Sequence, residues 1–404
     1  MTRDEARARD AADPLREFRD RFALPEGVIY LDGNSLGPLP RATAPAIADA
    51  VARQWGDRLI RSWNEGWIDA PTRIGDKIAP LIGARAGEVI ACDSTSVNLF
   101  KLIVAALRVD PARTVIVSES GNFPTDLHIA EGAIGCVPGA TLRAVPRDAL
   151  ADAIDDRTAL LLLTHVHYKT AERFDMAAWT RRAHAAGALT LWDLSHSAGA
   201  VPVDLGGANA DLAVGCGYKY LNGGPGAPAY LYVADRLQAR MTNPLSGWMG
   251  HAAPFGFADA YAPAPGIRRW LTGTPPVLGM AALEIGVDLM RAADPAALAA
   301  KSASLFDAMH AIGSTLGLEC VSPVDPAARG SHISFRHPHA YALCQALIAE
   351  GVIGDFRDPD ILRLGLTPLY LRYQDILDAG ATLAVILAEE RYRRPEFSKR
   401  HAVT

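Results

Sequence analysis

The sequence predicts an α/β fold: a mainly parallel central sheet with helices on both faces, followed by a smaller α+β C-terminal domain. Three observations carry this expectation. Residues 114–118 (TVIVS), 159–163 (ALLLL) and 189–192 (LTLW) are short apolar runs without polar alternation, as in strands covered on both faces. Between the last two, residues 176–186 place apolar and charged side chains at helical spacing, with Gly187 as a stop signal. Strand, helix, strand with short connections is the repeating unit of a parallel sheet. After Pro275-Pro276 the pattern changes to longer helices separated by short strands.

Taken in chain order, residues 1–26 read as a charged helix with Leu15, Phe18 and Phe22 on one face. They form an arm, residues 1–29, packed on the body or on a partner. Residues 30–275 form the large domain and 276–404 the small one. The small domain is expected to hold helices over 277–293, 295–316, 340–350 and 373–394, with strands near 332–335 and 361–364. At 404 residues the chain can bury a large core without disulfide or metal.

Half the residues are hydrophobic and 21% are charged, which excludes wholesale disorder. The net charge of −5 argues against a general nucleic-acid binder. Five cysteines (Cys92, Cys136, Cys216, Cys320 and Cys344) make an odd set with no CxxC spacing. No disulfide framework and no metal site is expected, and a cytoplasmic location fits. The first residues lack an apolar signal segment, and no run approaches a membrane span.

Asp193 follows the run LTLW and precedes Leu194-Ser195-His196-Ser197. An acid at the carboxyl end of a parallel strand faces the crevice where such sheets bind ligands; a helix N-cap is the plainer alternative. Lys219 stands in a Gly-rich loop, Gly215-Cys216-Gly217-Tyr218-Lys219-Tyr220, 26 positions on, with His196 and Asp211 between. A surface lysine is the ordinary alternative. A lysine held in a tight loop can instead be desolvated and bond an aldehyde. In pyridoxal phosphate enzymes a lysine does this while a carboxylate pairs with the pyridine nitrogen. A phosphate site is expected at an earlier strand–helix junction. Residues 93–98 (DSTSVN) precede an apolar helix, where hydroxyls and free N–H groups can cradle an anion or simply cap the helix.

With these residues in view, the chain resembles the fold-type-I pyridoxal phosphate enzymes, and within them the kynureninase family. The matching segments are YLDGNSLG at 30–37, ESGNFPTD at 119–126, residues 192–199, GYKY at 217–220 and residues 270–276. The resemblance implies that Lys219 carries the cofactor and Asp193 pairs with its ring nitrogen. His196 would lie beside the ring system, Phe123 would stack on its face, and Asp126 would hydrogen-bond near it. Thr95, Ser96 and Tyr218 would hold the phosphate, completed by Trp248 and Thr274 from a neighbouring subunit of a homodimer, with Thr170 a further contact. Phe123 and Trp248 as core aromatics, and Tyr218 as a buried tyrosine, are the plain alternatives. Arg363 would fork onto the substrate α-carboxylate; it could otherwise be a surface strand arginine. Ser35, Trp63 and Asn64 would line the aryl slot. The implied reaction is hydrolysis of L-kynurenine, and of its 3-hydroxy form, to anthranilate or 3-hydroxyanthranilate and L-alanine, in tryptophan catabolism and NAD biosynthesis.

Two other functions make different demands on the sequence. A cysteine desulfurase-like lyase needs a nucleophilic cysteine on a mobile loop, whereas Cys320 and Cys344 sit among apolar neighbours. A nucleotide-binding regulatory protein needs GxGxxG after an early strand. Gly223-Gly224-Pro225-Gly226 is late and Pro-interrupted.

Overall fold

The computed structural model describes residues 1–400. The arm is not one helix. It forms a helix Arg3–Ala12 and a 3₁₀ turn Arg16–Arg21. Pro14 explains the break: it offers no N–H, and it drives Asp13 to an extended conformation (φ −68°, ψ 119°). Leu15, Phe18 and Phe22 are nevertheless buried. Asp10 caps helix Tyr373–Ala388 by accepting from Tyr373 N at 2.6 Å, and Asp13 pairs with buried Lys301 at 2.6 Å. Strand β1 (Ile29–Tyr30) follows.

The central sheet has seven strands: β2 (Val89–Ala91), β3 (Val115–Glu119), β4 (Thr141–Val145), β5 (Thr158–Thr164), β6 (Leu189–Asp193), β7 (Leu212–Gly215) and β8 (Tyr230–Val233). Their order is β2-β8-β7-β6-β5-β3-β4. Only β8 runs against the rest. The uninterrupted apolar runs are explained by the side-chain period of two. Leu160 and Leu162 join one core with Leu99, Leu102 and Ile103 of helix Thr95–Leu107. Leu161 and Leu163 join the other with Ile74, Ala183 and Leu283, from three further helices.

The C-terminal region adds β9 (Glu319–Cys320), β10 (His332–Arg336), β11 (Val352–Ile353), β12 (Asp355–Arg357) and β13 (Ile361–Gly365). An antiparallel sheet runs β12-β13-β10-β9. Ile333, Phe335, Leu362 and Leu364 are buried in the apolar core. The alternate residues His332, Ser334, Arg363 and Asp355 are buried yet polar, and pairing sets Ser334 and Asp355 on either side of Arg363. This polar face meets the large sheet: Ser334 Oγ donates to Lys169 O at 2.6 Å. The last long helix stops at Ala388, short of the expected 394, and the chain continues in a 3₁₀ turn Arg391–Arg393 after Glu390 at φ +46°. Among the described residues no helix is long and apolar enough to cross a membrane.

Candidate active site

Parallel strands bring their carboxyl ends to one edge of a sheet, and ligands bind there. Here that edge collects residues far apart in sequence. Asp93 to Ser96 follow β2, Phe123 and Asp126 follow β3, Asp193 ends β6, and Tyr218 and Lys219 follow β7.

Lys219 Nζ lies 2.9 Å from His196 Nε2 and 5.8 Å from the centre of the Phe123 ring. His196 is buried, and burial together with the Lys219 charge holds its imidazole well below the usual range. A neutral ring can therefore accept from Nζ, while Nδ1 is buried without a protein partner. Asp193 is buried and Oδ1 accepts from Ser195 N at 2.8 Å and Ser195 Oγ at 2.6 Å. Asp126 is buried too, and its Oδ2 accepts from Thr164 Oγ1 at 3.0 Å. Burial pushes both carboxyls up, and Asp126 is raised further by the charge on Asp193. Asp193 has two hydrogen bonds from Ser195 and the attraction of Lys219. Lys219 attracts Asp126 as well, and Thr164 and Asn122 bond it, but only Asp126 is pushed further up by its neighbour.

The lysine loop is pinned by glycine. Gly37 N donates to Tyr218 O at 2.8 Å. A Cβ at Gly37 would stand 2.4 Å from both Lys219 O and Asn222 Oδ1, closer than any real contact. Gly37→Ala should therefore displace the Lys219 loop and weaken cofactor retention at least tenfold, read by the visible absorbance that survives dialysis. Wild-type retention in this variant would show that the close approach is immaterial.

Thr95 opens helix Thr95–Leu107, N-capped by Ser94, and its Oγ1 is buried without a protein partner. Ser96 is half-buried beside it. Lys101 is fully buried and ties this loop together, donating to Asp93 Oδ2 at 2.7 Å and to Trp270 O at 2.8 Å. Thr170 lies in the turn after β5, its Oγ1 3.2 Å from His167 Nδ1. Trp248 and Thr274 are both exposed, and Trp248 meets only Phe255 edge-on at 5.6 Å among ring contacts of the described residues. Trp63 is partly buried against Trp67 and Asn64 is exposed. No hydrogen bond or ring contact among the described residues joins these four to Lys219.

Arg363, Ser35 and Asn34 do come together. Arg363 is buried and forks onto Asp355, with Nε at 2.8 Å from Oδ1 and Nη2 on Oδ2. Nη2 also reaches Ser35 Oγ at 2.8 Å, and Nη1 reaches Tyr168 O at 2.5 Å. With its amide turned to satisfy both atoms, Asn34 accepts from Nε at 3.0 Å. Tyr168 stacks edge-on with Phe123 at 5.2 Å and so links this cluster to the lysine. Asp355, Tyr168, Thr164 and Ser195 escape sequence reasoning; for Ser195 and Thr164 the signal was their position at the ends of apolar strands.

Burial, and then the nearby Asp355, push Asp32 up to about 7 from its ordinary 3.8. The folded protein thus binds a proton there that the unfolded chain has released. That contribution to stability is complete below about pH 4 and lost as pH rises through about 7. Asp32→Asn should remove this slope, so that its melting midpoint gains on the wild type between pH 5 and pH 8. Parallel melting curves across that range would refute the assignment.

Pyridoxal phosphate needs an amine, an acid for its ring nitrogen, a flat apolar cover and anion donors. Lys219, Asp193 and the Phe123 ring, 38% exposed, supply the first three. The orphaned Thr95 Oγ1 at a helix N-terminus and the orphaned His196 Nδ1 are buried polar atoms that such a ligand would satisfy. The residues fit the group.

Comparison with known proteins agrees. Solved structures with the same fold include a cysteine desulfurase from Thermococcus onnurineus NA1 (TM-score 0.79, 17% identity, covering 92% of this chain and 98% of that one). A C-DES mutant with glycine covalently linked to its PLP cofactor is also similar (TM-score 0.77, 19% identity, 91% and 98% covered). At such identities these show the fold alone, that of the fold-type-I enzymes. Burial raises the thiols of Cys320 and Cys344, which disfavours either as a nucleophile. A family model described as the kynureninase C-terminal domain matches residues 298–383. Proteins named kynureninase from Burkholderia pseudomallei (strain 1106a) and Pseudomonas fluorescens are 53% and 49% identical, with all of both chains covered in each case. With half of its residues shared from end to end, and with a lysine, an imidazole and two buried carboxylates gathered at the carboxyl edge of its sheet, this chain belongs to the kynureninase family.

Proposed function

We propose that the protein is a pyridoxal phosphate-dependent hydrolase that splits L-kynurenine with water into anthranilate and L-alanine, and that it accepts the 3-hydroxy form as well. The observation that carries this is the full-length identity to kynureninases, joined to the Lys219–His196 contact beside two buried carboxylates. The cofactor supplies an electron sink for charge developing at the substrate α-carbon.

Lys219 would hold the cofactor, Asp193 its ring nitrogen, Phe123 its face, and Thr95, Ser96 and Tyr218 its phosphate. Asp126, His196 and Thr170 would flank it. Lys219 Nζ, oriented by His196 Nε2 at 2.9 Å, moves the α-proton. Burial raises the Tyr218 hydroxyl, which keeps its proton and can donate it to the carbon that becomes the alanine methyl. Arg363, with Ser35, orients the α-carboxylate.

A homodimer completes the site. Trp55, Leu59, Ile60, Phe255 and Phe257 are each more than half exposed, in the same two stretches of chain as Trp63, Asn64, Trp248 and Thr274. Large apolar side chains left in water support an interface there, and a second copy would bring these residues to the phosphate and the aryl group. Five free cysteines suit a reducing cytoplasm.

The test is direct. Holoenzyme mixed with L-kynurenine should give anthranilate fluorescence and L-alanine in equal amounts, from a species of twice the chain mass by light scattering. Sulfide released from L-cysteine, with no anthranilate, would replace this reading by a desulfurase.

A further inference from the structure

The cluster around Arg363 is overcommitted. Its single buried carboxylate, Asp355, serves two guanidiniums. Oδ2 meets Ser35 Oγ at 2.8 Å, Arg363 Nη2, and Arg357 Nη2 at 2.7 Å. Arg363 is 1% exposed, with its donors divided among Asp355, Ser35, Tyr168 O and Asn34. An incoming carboxylate finds few of its N–H groups free.

Arg357 differs. Its side chain is 33% exposed. Its Nε is buried with no partner, its Nη1 reaches only the carbonyl of the preceding Phe356 at 3.2 Å, and its Nη2 is a long 3.4 Å from Ser35 Oγ. It lies on β12, two positions from Asp355 and paired to Ile361 of β13, beside the strand that carries Arg363. Its charge is felt at His196, the residue that touches Lys219 Nζ. The second acid in the neighbourhood, Asp32, is held partly protonated by burial and by Asp355. Both guanidiniums therefore share the one carboxylate they contact, Asp355, and Arg357 is the more exposed of the two. A cation that shares its counter-ion and has an unpartnered Nε matches the α-carboxylate of an amino acid.

We infer that Arg357 is a second guanidinium of the α-carboxylate seat, held by the same Asp355 that anchors Arg363. Arg363 sets the frame, and Arg357 supplies the charge that the arriving carboxylate neutralises. This rests on the reading that the substrate is an α-amino acid.

The experiment uses holoenzyme and compares wild type, Arg357→Gln and Arg357→Lys. For Arg357→Gln, KM for L-kynurenine should rise at least tenfold while kcat stays within about threefold, the range expected for a lost charge-assisted hydrogen bond. Kd for L-alanine by calorimetry should weaken by the same factor, whereas L-alaninamide should bind both proteins equally. Arg357→Lys, which keeps the charge, should recover part of the loss. Unchanged KM and unchanged L-alanine affinity in Arg357→Gln would overturn the inference. So would an equal loss for L-alanine and L-alaninamide, which marks a merely structural role. If wild-type protein fails to cleave L-kynurenine, the hydrolase reading falls, yet the L-alanine and L-alaninamide pair still decides the role of Arg357.

Discussion

Lys219→Ala protein should release no measurable anthranilate from L-kynurenine, a loss of about 10⁴-fold or more. Lys219 is assigned two tasks, bonding the cofactor and moving the α-proton, and no neighbour can take over either. His196 is the only base in contact with Nζ among the described residues, and its depressed basicity makes it a poor replacement at neutral pH. The fold should survive, because Lys219 is only half-buried and its loop is held by backbone contacts from Gly37 and from Asn222 N to Lys219 O. The check is stopped-assay fluorescence beside a melting curve. A variant that melts like wild type and retains more than about one hundredth of its rate would dismiss Lys219 from both tasks.

Asp193→Asn should lower kcat by about 10²- to 10³-fold, the usual cost of removing one buried electrostatic partner from a reacting system. The amide keeps the shape and can still bond Ser195, so the loss isolates the negative charge. Asp126→Asn makes the contrast. Burial and the Asp193 charge push the Asp126 carboxyl well above its ordinary value, so an amide there should cost less, under about tenfold. Equal losses in the two variants, measured under saturating cofactor, would contradict the division of charge between them.

Three strands of the large sheet, β3, β5 and β6, were legible because they are apolar on both faces, and the end of β6 pointed to Asp193; β2, β4 and β7 were not read, β4 being half exposed and the others short. β8 was not, since nothing in Tyr230–Val233 distinguishes a strand running against the others. The arm was misread because Leu15, Phe18 and Phe22 keep helical spacing although the first helix ends before Pro14 and only a 3₁₀ turn carries them. The Asp355–Arg363 fork was invisible for another reason: it depends on the register of two antiparallel strands, which no local pattern in β12 announces. Trp248, Thr274, Trp63 and Asn64 were named from family likeness, and among ring contacts of the described residues Trp248 meets Phe255 and Trp63 meets Trp67.

The YLDGNSLG segment is fastened at both ends. Leu31 N donates to Ile353 O at 2.6 Å and Leu31 O accepts from Gly365 N at 2.6 Å, while Gly37 N holds Tyr218 O at 2.8 Å. Six peptide units thus form a short strap between the C-terminal sheet and the loop bearing the reactive amine. A strap so short has almost no slack. A shift at either end must be taken up within it or passed along it, so the C-terminal strands and the Lys219 loop are mechanically joined.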